Sequence, residues 1–569
     1  MYGMPQMHGA ICGDAIKTKK NNKDQQKLIH TIPGTAMQIQ LPLQRLLRTA
    51  VICSLSIVAV AVSAASTERT PSAPAADQGE GPYTRLILRG GTYISGEGAP
   101  PVGPVDIVIE NDRISEITAV GNPGVPVLPE GRPKAKAGDK EMDVSGMYIL
   151  PGFIDMHGHI GGSAKGTPAE YVFKLWLAHG ITTVREPGSF NGLDWTLKHA
   201  KASNEHKIVA PRIVPYVGFG QGLSKPVFSP QQAREWVQNI KKAGAAGIKF
   251  FGATPAIMAA ALDEAKKQQL GTMMHHAQLN VMRMNALDSA RLGLTSMEHW
   301  YGLPEALFTN QVVQNYKADY NYQNEQDRFG EAGKLWQQAA APGSDKWNAV
   351  RDELISLNFT INPTLTIYEA TRNAEAQRNA PWHADYTMPV LSEFFKPNRY
   401  AHGSFWFNWT TDQEIAWREN YRIWMQFLND YKNHGGRVTA GSDAGYIYKI
   451  YGFAYIQELE LLREAGFNPL EVIQAATLNG AMALGLEKDL GSLVPGKKAD
   501  MVIVAENPLA NFKVLYGNGH YQLNDQNQPE RTKGVRYTIK DGVVYDAQQL
   551  LSDVRKMVSS AKTAPPKQP

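Results

Sequence analysis

Two histidines separated by one glycine, His157 and His159, close the apolar run "GFIDMHGH". Imidazoles at that spacing hold a metal when further donors converge on them, and are ordinary polar residues when none do. Four other positions carry suitable donors at the ends of short β-rich runs: Lys249 in "GIKFF", His276 in "MMHHAQ", His299 in "SMEHW" and Asp443 in "AGSDAG". Taken singly each has a plain structural explanation. His299 could be a core histidine, Lys249 a solvated strand end, Asp443 a helix cap after Gly441 and Ser442, and His276 a surface neighbour of His275. As a set they describe a binding site for a divalent cation. Both cysteines, Cys12 and Cys53, precede residue 66, so the body of the chain offers only His, carboxylate and modified Lys as ligands. That donor set suits zinc, and water held at such a site is acidified from about 15.7 to about 7, which makes hydroxide available at neutral pH.

Residues so far apart in sequence meet only if a regular scaffold returns each strand end to one rim. Eight short runs supply the strands: "YILPGFIDMHGH", "GITTVRE", "PRIVPYVGFG", "AAGIKFF", "GTMMHHAQ", "GLTSMEHW", "NFTINPTL" and "GGRVTAGSDAG". Amphipathic stretches such as "SPQQAREWVQNIKKAG" and "TPAIMAAALDEAKKQQ" lie between them. This alternation predicts a parallel (β/α)8 barrel of the TIM type over residues 151–488, whose strands all end at one face. Short alternating strands in "YTRLILRGGTYISG", "VDIVIENDRISEITAVG", "ADMVIVAENPL" and "VRYTIKDGVVYDAQ" predict a small β-sandwich built from both chain ends, residues 83–150 and 489–548. An insertion at about 301–430 carries Trp336, Trp347, Trp382, Trp406, Trp409, Trp417 and Trp424, as the core of a lid or as substrate-facing aromatics. Residues 549–569, ending "SSAKTAPPKQP", read as a disordered tail.

With 43% hydrophobic and 20% charged residues, the chain is neither fibrous nor a disordered polyampholyte. Residues 1–65 hold five lysines and two arginines against two aspartates, more than the formal charge of +4 for the whole chain, so the body is close to neutral. A neutral body gives no electrostatic footprint for nucleic acid, and a small-molecule substrate is the expected partner. In the leader, Arg45 and Arg48 precede "TAVICSLSIVAVAVSAAS", an apolar run ending in small residues. This is the pattern of a secretory signal cleaved near Ala64 or Ala65, with Met37 as an alternative start, and it implies export to the periplasm or medium without a lasting membrane anchor. The run is shorter than the roughly 20 residues a spanning helix needs. Residues 66–82 form a Pro/Ser/Ala/Gly-rich linker. Nothing in the sequence decides between a monomer and a homo-oligomer.

The ordered series "LPGFIDMHGH", "HGITTVREPG", "GIKFFG", "HHAQ", "MEHW", "GSDAG", "AATLNGAMALGL" and "GSLVPGKKADMVIV" resembles the amidohydrolase superfamily from Tyr83 to Asp546. The resemblance is greatest to its imidazolonepropionase-like and prolidase-like branch. It implies two divalent metals, with His157, His159 and Asp443 on the buried one, His276 and His299 on the outer one, and a carboxylated Lys249 bridging them. It also implies that Asp443 takes a proton from the attacking water and returns it to the departing amine, as general base and then general acid. The reaction expected is attack of metal-activated hydroxide on an amide or other carbon-nitrogen bond, in a dipeptide, an N-acyl amino acid or a cyclic amide. Two other readings remain: a mononuclear ring hydrolase or deaminase with unmodified Lys249, and a non-catalytic scaffold.

Weaker expectations attach to other strand ends. Arg185 and Glu186 pair to brace a loop or touch substrate; Tyr216 is a core residue or an oxyanion donor; Tyr301 is a third candidate substrate contact. Glu298 reads as a structural acceptor beside His299. Peptide-cleaving relatives commonly carry "GGH" after the third strand, where this chain has "GFGQGLSK" with Gln221.

Overall fold

A computed structural model describes residues 70–161, 165–398, 402–403 and 405–564. The leader with Cys12, Cys53 and Met37, and the first residues of the linker, lie outside them. Five strands open the chain: β1 (Arg85–Tyr93), β2 (Val102–Glu110), β3 (Arg113–Ala119), β4 (Lys140–Asp143) and β5 (Tyr148–Pro151). The barrel follows with β6 (Phe153–Asp155), β7 (Ile181–Glu186), β8 (Arg212–Gly218), β9 (Gly247–Phe250), β10 (Gly271–His275), β11 (Ser296–Glu298), β12 (Thr360–Asn362) and β13 (Arg437–Val438). Then come β14 (Met501–Val504), the hairpin β15 (Tyr521–Leu523) and β16 (Pro529–Arg531), β17 (Val535–Lys540) and β18 (Val543–Asp546).

All eight barrel strands fall within the eight runs expected, and they are hydrogen-bonded in chain order from β6 to β13, in parallel. The two ends are stitched by backbone bonds from Met156 N to Ala440 O at 3.0 Å and from Asp443 N to His157 O at 2.8 Å. Intervening helices start and stop where the sequence signals it. Pro230–Ala243 is capped by the Ser229 hydroxyl, which accepts from Gln232 N at 3.2 Å, and ends at Gly244, whose φ of +100° a side chain would resist. Its buried face is Ala233, Trp236, Val237 and Ile240.

The small domain is a single eight-stranded sheet around one apolar core, in the order β18-β17-β14-β5-β1-β2-β3 with β4 on β1. Both chain ends contribute, since β14 pairs antiparallel with β5, Val502 opposite Leu150. Buried charge locks the sheet to the barrel: Arg212 of β8 donates to Asp500 at 2.7 Å and also pairs with Asp541.

One expectation is corrected here. The segment read as a disordered tail is helical over Ala547–Thr563. Leu550, Leu551, Val554 and Val558 form its buried stripe. Asp546 caps it, accepting from Gln548 N at 2.9 Å and Gln549 N at 3.2 Å, and Lys174 of the helix Ala169–Ala178 pairs with Asp553 at 3.1 Å. The Lys/Ser-rich composition obscured an amphipathic period whose apolar stripe has a partner only in the folded chain.

The insertion is helical and carries its own aromatic core. Trp336, Trp347, Trp417 and Trp424 are fully buried, and Trp417 Nε1 donates to Phe329 O at 2.8 Å. The long helix Thr411–Asn433 supplies two of these tryptophans. Among the described residues no helix is long and apolar enough to cross a membrane.

Candidate metal centre

The parallel barrel sends every strand end to one rim, and five of the six expected ligands meet there. Asp443 is the hub. Its Oδ1 lies 3.5 Å from His157 Nε2 and 3.4 Å from His159 Nε2, and its Oδ2 lies 3.7 Å from His299 Nε2. Lys249 Nζ lies 3.1 Å from His157 Nε2. One ligand atom from each of His157, His299 and Asp443 falls within 4.8 Å of the other two.

His276 does not join them. It turns away from the rim, where its Nε2 shares a 2.8 Å hydrogen bond with Ser289 Oγ. Its neighbour His275 takes the place, with its ring 4.8 Å from that of His299 at 74°. The reason is the two-residue period of a strand: His275, the last residue of β10, is in register with Glu298 of β11, whose side chain points into the barrel, so the next residue points out.

Two of these imidazoles are hydrogen-bonded from behind, and a third faces a carboxylate. His157 Nδ1 donates to Glu298 Oε2 at 2.8 Å, which leaves Nε2 facing the centre. Glu298 is itself fixed by Arg185 at 2.6 Å and by Asn362 Nδ2 at 2.6 Å. His299 Nδ1 shares a 2.6 Å hydrogen bond with Thr364 Oγ1, and His159 Nδ1 lies 3.4 Å from Glu186 Oε1. Asp155 ties the first strand to the last, accepting from His157 N at 3.0 Å, Ser442 N at 2.9 Å and Ser442 Oγ at 2.6 Å. Such outer partners set the tautomer and aim of a ligating imidazole. Left-handed backbone at His299 (φ +62°), Thr364 (φ +47°) and Asp443 (φ +46°) gathers at this one place. It costs on the order of 1 kcal/mol or more per residue and persists because these contacts enforce it.

Burial sets the protonation states. It holds His157, His159, His275 and His299 well below the ordinary imidazole range, so each is a neutral donor. It also lowers Lys249, and raises Asp443 to about 6 against the opposing pull of Lys249 and Lys165. Four neutral imidazoles, a carboxylate with an unpartnered buried oxygen and a desolvated amine, with no thiol, fit a hard or borderline divalent cation.

Two expected substrate contacts lie beneath the site. Arg185 donates to Met156 O at 2.7 Å and Ser296 Oγ at 3.1 Å as well as to Glu298, so its partner is Glu298 and not the adjacent Glu186. Tyr216 lies under Arg185, 5.4 Å from ring centroid to guanidinium carbon, in space left by Gly247 and Gly271. Both are barrel filling. Tyr301 is different: its ring lies 5.8 Å from that of His275, and its buried hydroxyl faces Tyr368. Gln221 accepts from Gly218 N at 3.2 Å and donates to Ser189 O at 2.9 Å, so it braces loops. Residues not singled out from the sequence also border the centre. Phe190 stacks on His159 at 5.0 Å, the Tyr368 ring lies 5.8 Å from His299, and Thr364 and Asn362 come from the insertion's one barrel strand and the turn after it. Only the "NPT" after β12 hinted at the last two.

The amidohydrolase family model matches residues 148–314 and 424–544, just over half of the chain. The chain belongs to the amidohydrolase family. The gap between the two matched parts coincides with the helical insertion. An imidazolonepropionase from Picrophilus torridus is 22% identical over 436 residues, covering 72% of this chain and 88% of that protein. An adenine deaminase from Methanoculleus marisnigri is 39% identical over 93 residues, which is 15% of this chain and only 18% of the relative. A crystal structure described as a Xaa-Pro dipeptidase with bound methionine in the active site superposes with a TM-score of 0.53 at 19% identity, covering 81% of this chain and all of that one. That likeness shows the shared fold.

Proposed function

We propose that this amidohydrolase is an exported, metal-dependent hydrolase of an amide or related carbon-nitrogen bond, acting on a dipeptide, an N-acyl amino acid or a cyclic amide. The observation that carries the reading is the ring of imidazole nitrogens of His157, His159 and His299 3.4–3.7 Å from the Asp443 carboxylate, with His157 and His299 hydrogen-bonded from behind so that their free nitrogens face inward. His157, His159, His275, His299, Lys249 and Asp443 would hold two divalent ions, zinc by ligand type. When bound, such ions acidify water and polarise a carbonyl.

The chain's own residues do the rest. Lys249 is buried, and the depressed basicity of its amine favours the neutral form that carbamate formation requires. Asp443 is positioned to accept the proton of the attacking water and deliver it to the leaving nitrogen, and burial brings its acidity closer to neutrality than an ordinary aspartate's. Phe190, Tyr301 and Tyr368 line the centre with apolar surface, the two tyrosines from the helical insertion. The leader supports export, which N-terminal sequencing of the secreted product tests.

The decisive experiment is metal analysis of the purified body with a panel of dipeptides, N-acyl amino acids and lactams, before and after chelation. Two equivalents of metal and hydrolysis abolished by chelation are expected. Asp443→Asn, assayed at saturating metal, should lower kcat by about 10²–10⁴ with a smaller effect on KM. Hydrolysis that survives complete metal removal sinks the mechanism; one equivalent of metal with no hydrolysis of the panel favours a mononuclear ring hydrolase or deaminase, deamination being the activity named for an adenine deaminase matched in part.

A further inference from the structure

A second group of uncompensated polar atoms lies beside the metal centre, around Gly445. Lys165, in the loop after β6, has its side chain buried, with 3% exposure. Its ammonium has no hydrogen-bond or ion-pair partner among the described residues and sits 3.6 Å above the Tyr446 ring. A side-chain carbon placed on Gly445 would lie 2.7 Å from Lys165 Nζ and 2.7 Å from the Tyr451 hydroxyl, so both groups close on the same glycine. The Tyr451 hydroxyl is also buried, beside the Thr167 hydroxyl and the backbone of Gly161, and among the described residues neither hydroxyl makes a well-formed hydrogen bond. Gly445, with φ +98°, is two residues beyond Asp443.

An isolated buried ammonium costs several kcal/mol, and a cation-π contact recovers only about 2 kcal/mol of that. Asp443 and Glu186 are near enough to act on Lys165 electrostatically, yet neither reaches ion-pair distance. Asp443 would share its charge with any cation held at the centre, which would leave the ammonium still less compensated. The ammonium is a donor without an acceptor beside two hydroxyls that have only each other, and a carboxylate supplies two oxygens to receive them.

We propose that Lys165, with the Tyr451 and Thr167 hydroxyls, forms a subsite for a free carboxylate of the substrate, so that the bond cleaved belongs to an N-acyl amino acid or dipeptide and not to a neutral cyclic amide. This rests on the hydrolase reading above and narrows its substrate class. Lys165 binds and orients; the proton transfers remain with Asp443.

The test is binding calorimetry on the metal-loaded protein with reduced-amide analogues of N-acyl amino acids, which have no scissile carbonyl, each compared with its C-terminal carboxamide. The acid should bind at least about tenfold more tightly than the carboxamide, as loss of a charge-assisted hydrogen bond predicts. Lys165→Met should abolish that preference while keeping the carboxamide affinity, Lys165→Arg should restore part of it, and Tyr451→Phe should reduce it. Because Lys165→Met removes an unpartnered buried charge, its Tm should equal or exceed that of the parent. Equal affinity for acid and carboxamide in the parent, or a preference that survives Lys165→Met, overturns the subsite. Preferential binding of acids with no hydrolysis of any panel member upholds the subsite and instead defeats the hydrolase reading.

Discussion

His157 Nδ1 donates to Glu298 Oε2 at 2.8 Å at a point where neither side chain is exposed to solvent. A ligand of the first strand is thereby aimed by a carboxylate of the sixth, and the carboxylate is clamped in turn by Arg185 and Asn362. Glu298→Gln keeps the shape and removes the charge. Metal affinity, read by competition with a chelator, should fall about 10- to 100-fold while cooperative unfolding is preserved. Unchanged affinity would show that the pair is only packing.

The two adjacent histidines at the end of β10 should separate cleanly. His275→Asn should lose about half of the bound metal and most of the activity. His276→Asn should keep both, at a cost of about 1 kcal/mol of stability for the lost bond to Ser289. Metal content and Tm measured on the pair decide the matter; the opposite pattern would return His276 to the centre.

Glu458, in the helix Phe453–Glu464, accepts from Thr366 N at 2.7 Å, and burial pushes its carboxyl up to about 8 from an ordinary 4.5. The folded state therefore keeps a proton that the unfolded chain has released. Its contribution to stability is full below about pH 4.5 and is lost as pH rises through about 8. Glu458→Gln removes this dependence. The Tm of the variant relative to the parent should rise between pH 5 and pH 9, reaching on the order of a few kcal/mol of relative stabilisation. A constant difference across that range would show that the carboxyl is ionised throughout.

The C-terminal helix is structural. Leu551 is fully buried against the body, so Leu551→Ala should cost about 2–5 kcal/mol and lower the Tm without altering metal content. A change within about 0.5 kcal/mol would mean that the helix is detached in solution.

The strand-helix alternation was legible because each parallel strand is a short apolar run ending in polar residues, and eight such runs admit one closed solution. The same burial hid which face of each strand looks inward. Met273 and Met274 are both buried, so "MMHH" has no polar alternation to show that His275 points into the barrel and His276 away from it. The tail failed for a related reason: the stripe Leu550, Leu551, Val554 and Val558 acquires meaning only beside the helix Ala169–Ala178 that it covers.

Residue type and order alone determined the family and the barrel, and singled out five side chains that the fold brings together, because the chemistry of a cation site restricts which donors serve and a parallel barrel restricts where they stand. Tertiary structure alone decided which of two neighbouring histidines turns inward, that Arg185 and Tyr216 lie beneath the centre, and that the Lys165 ammonium has no partner among the described residues. Those are matters of direction and distance between segments remote in sequence, and they are set by packing that no local pattern encodes.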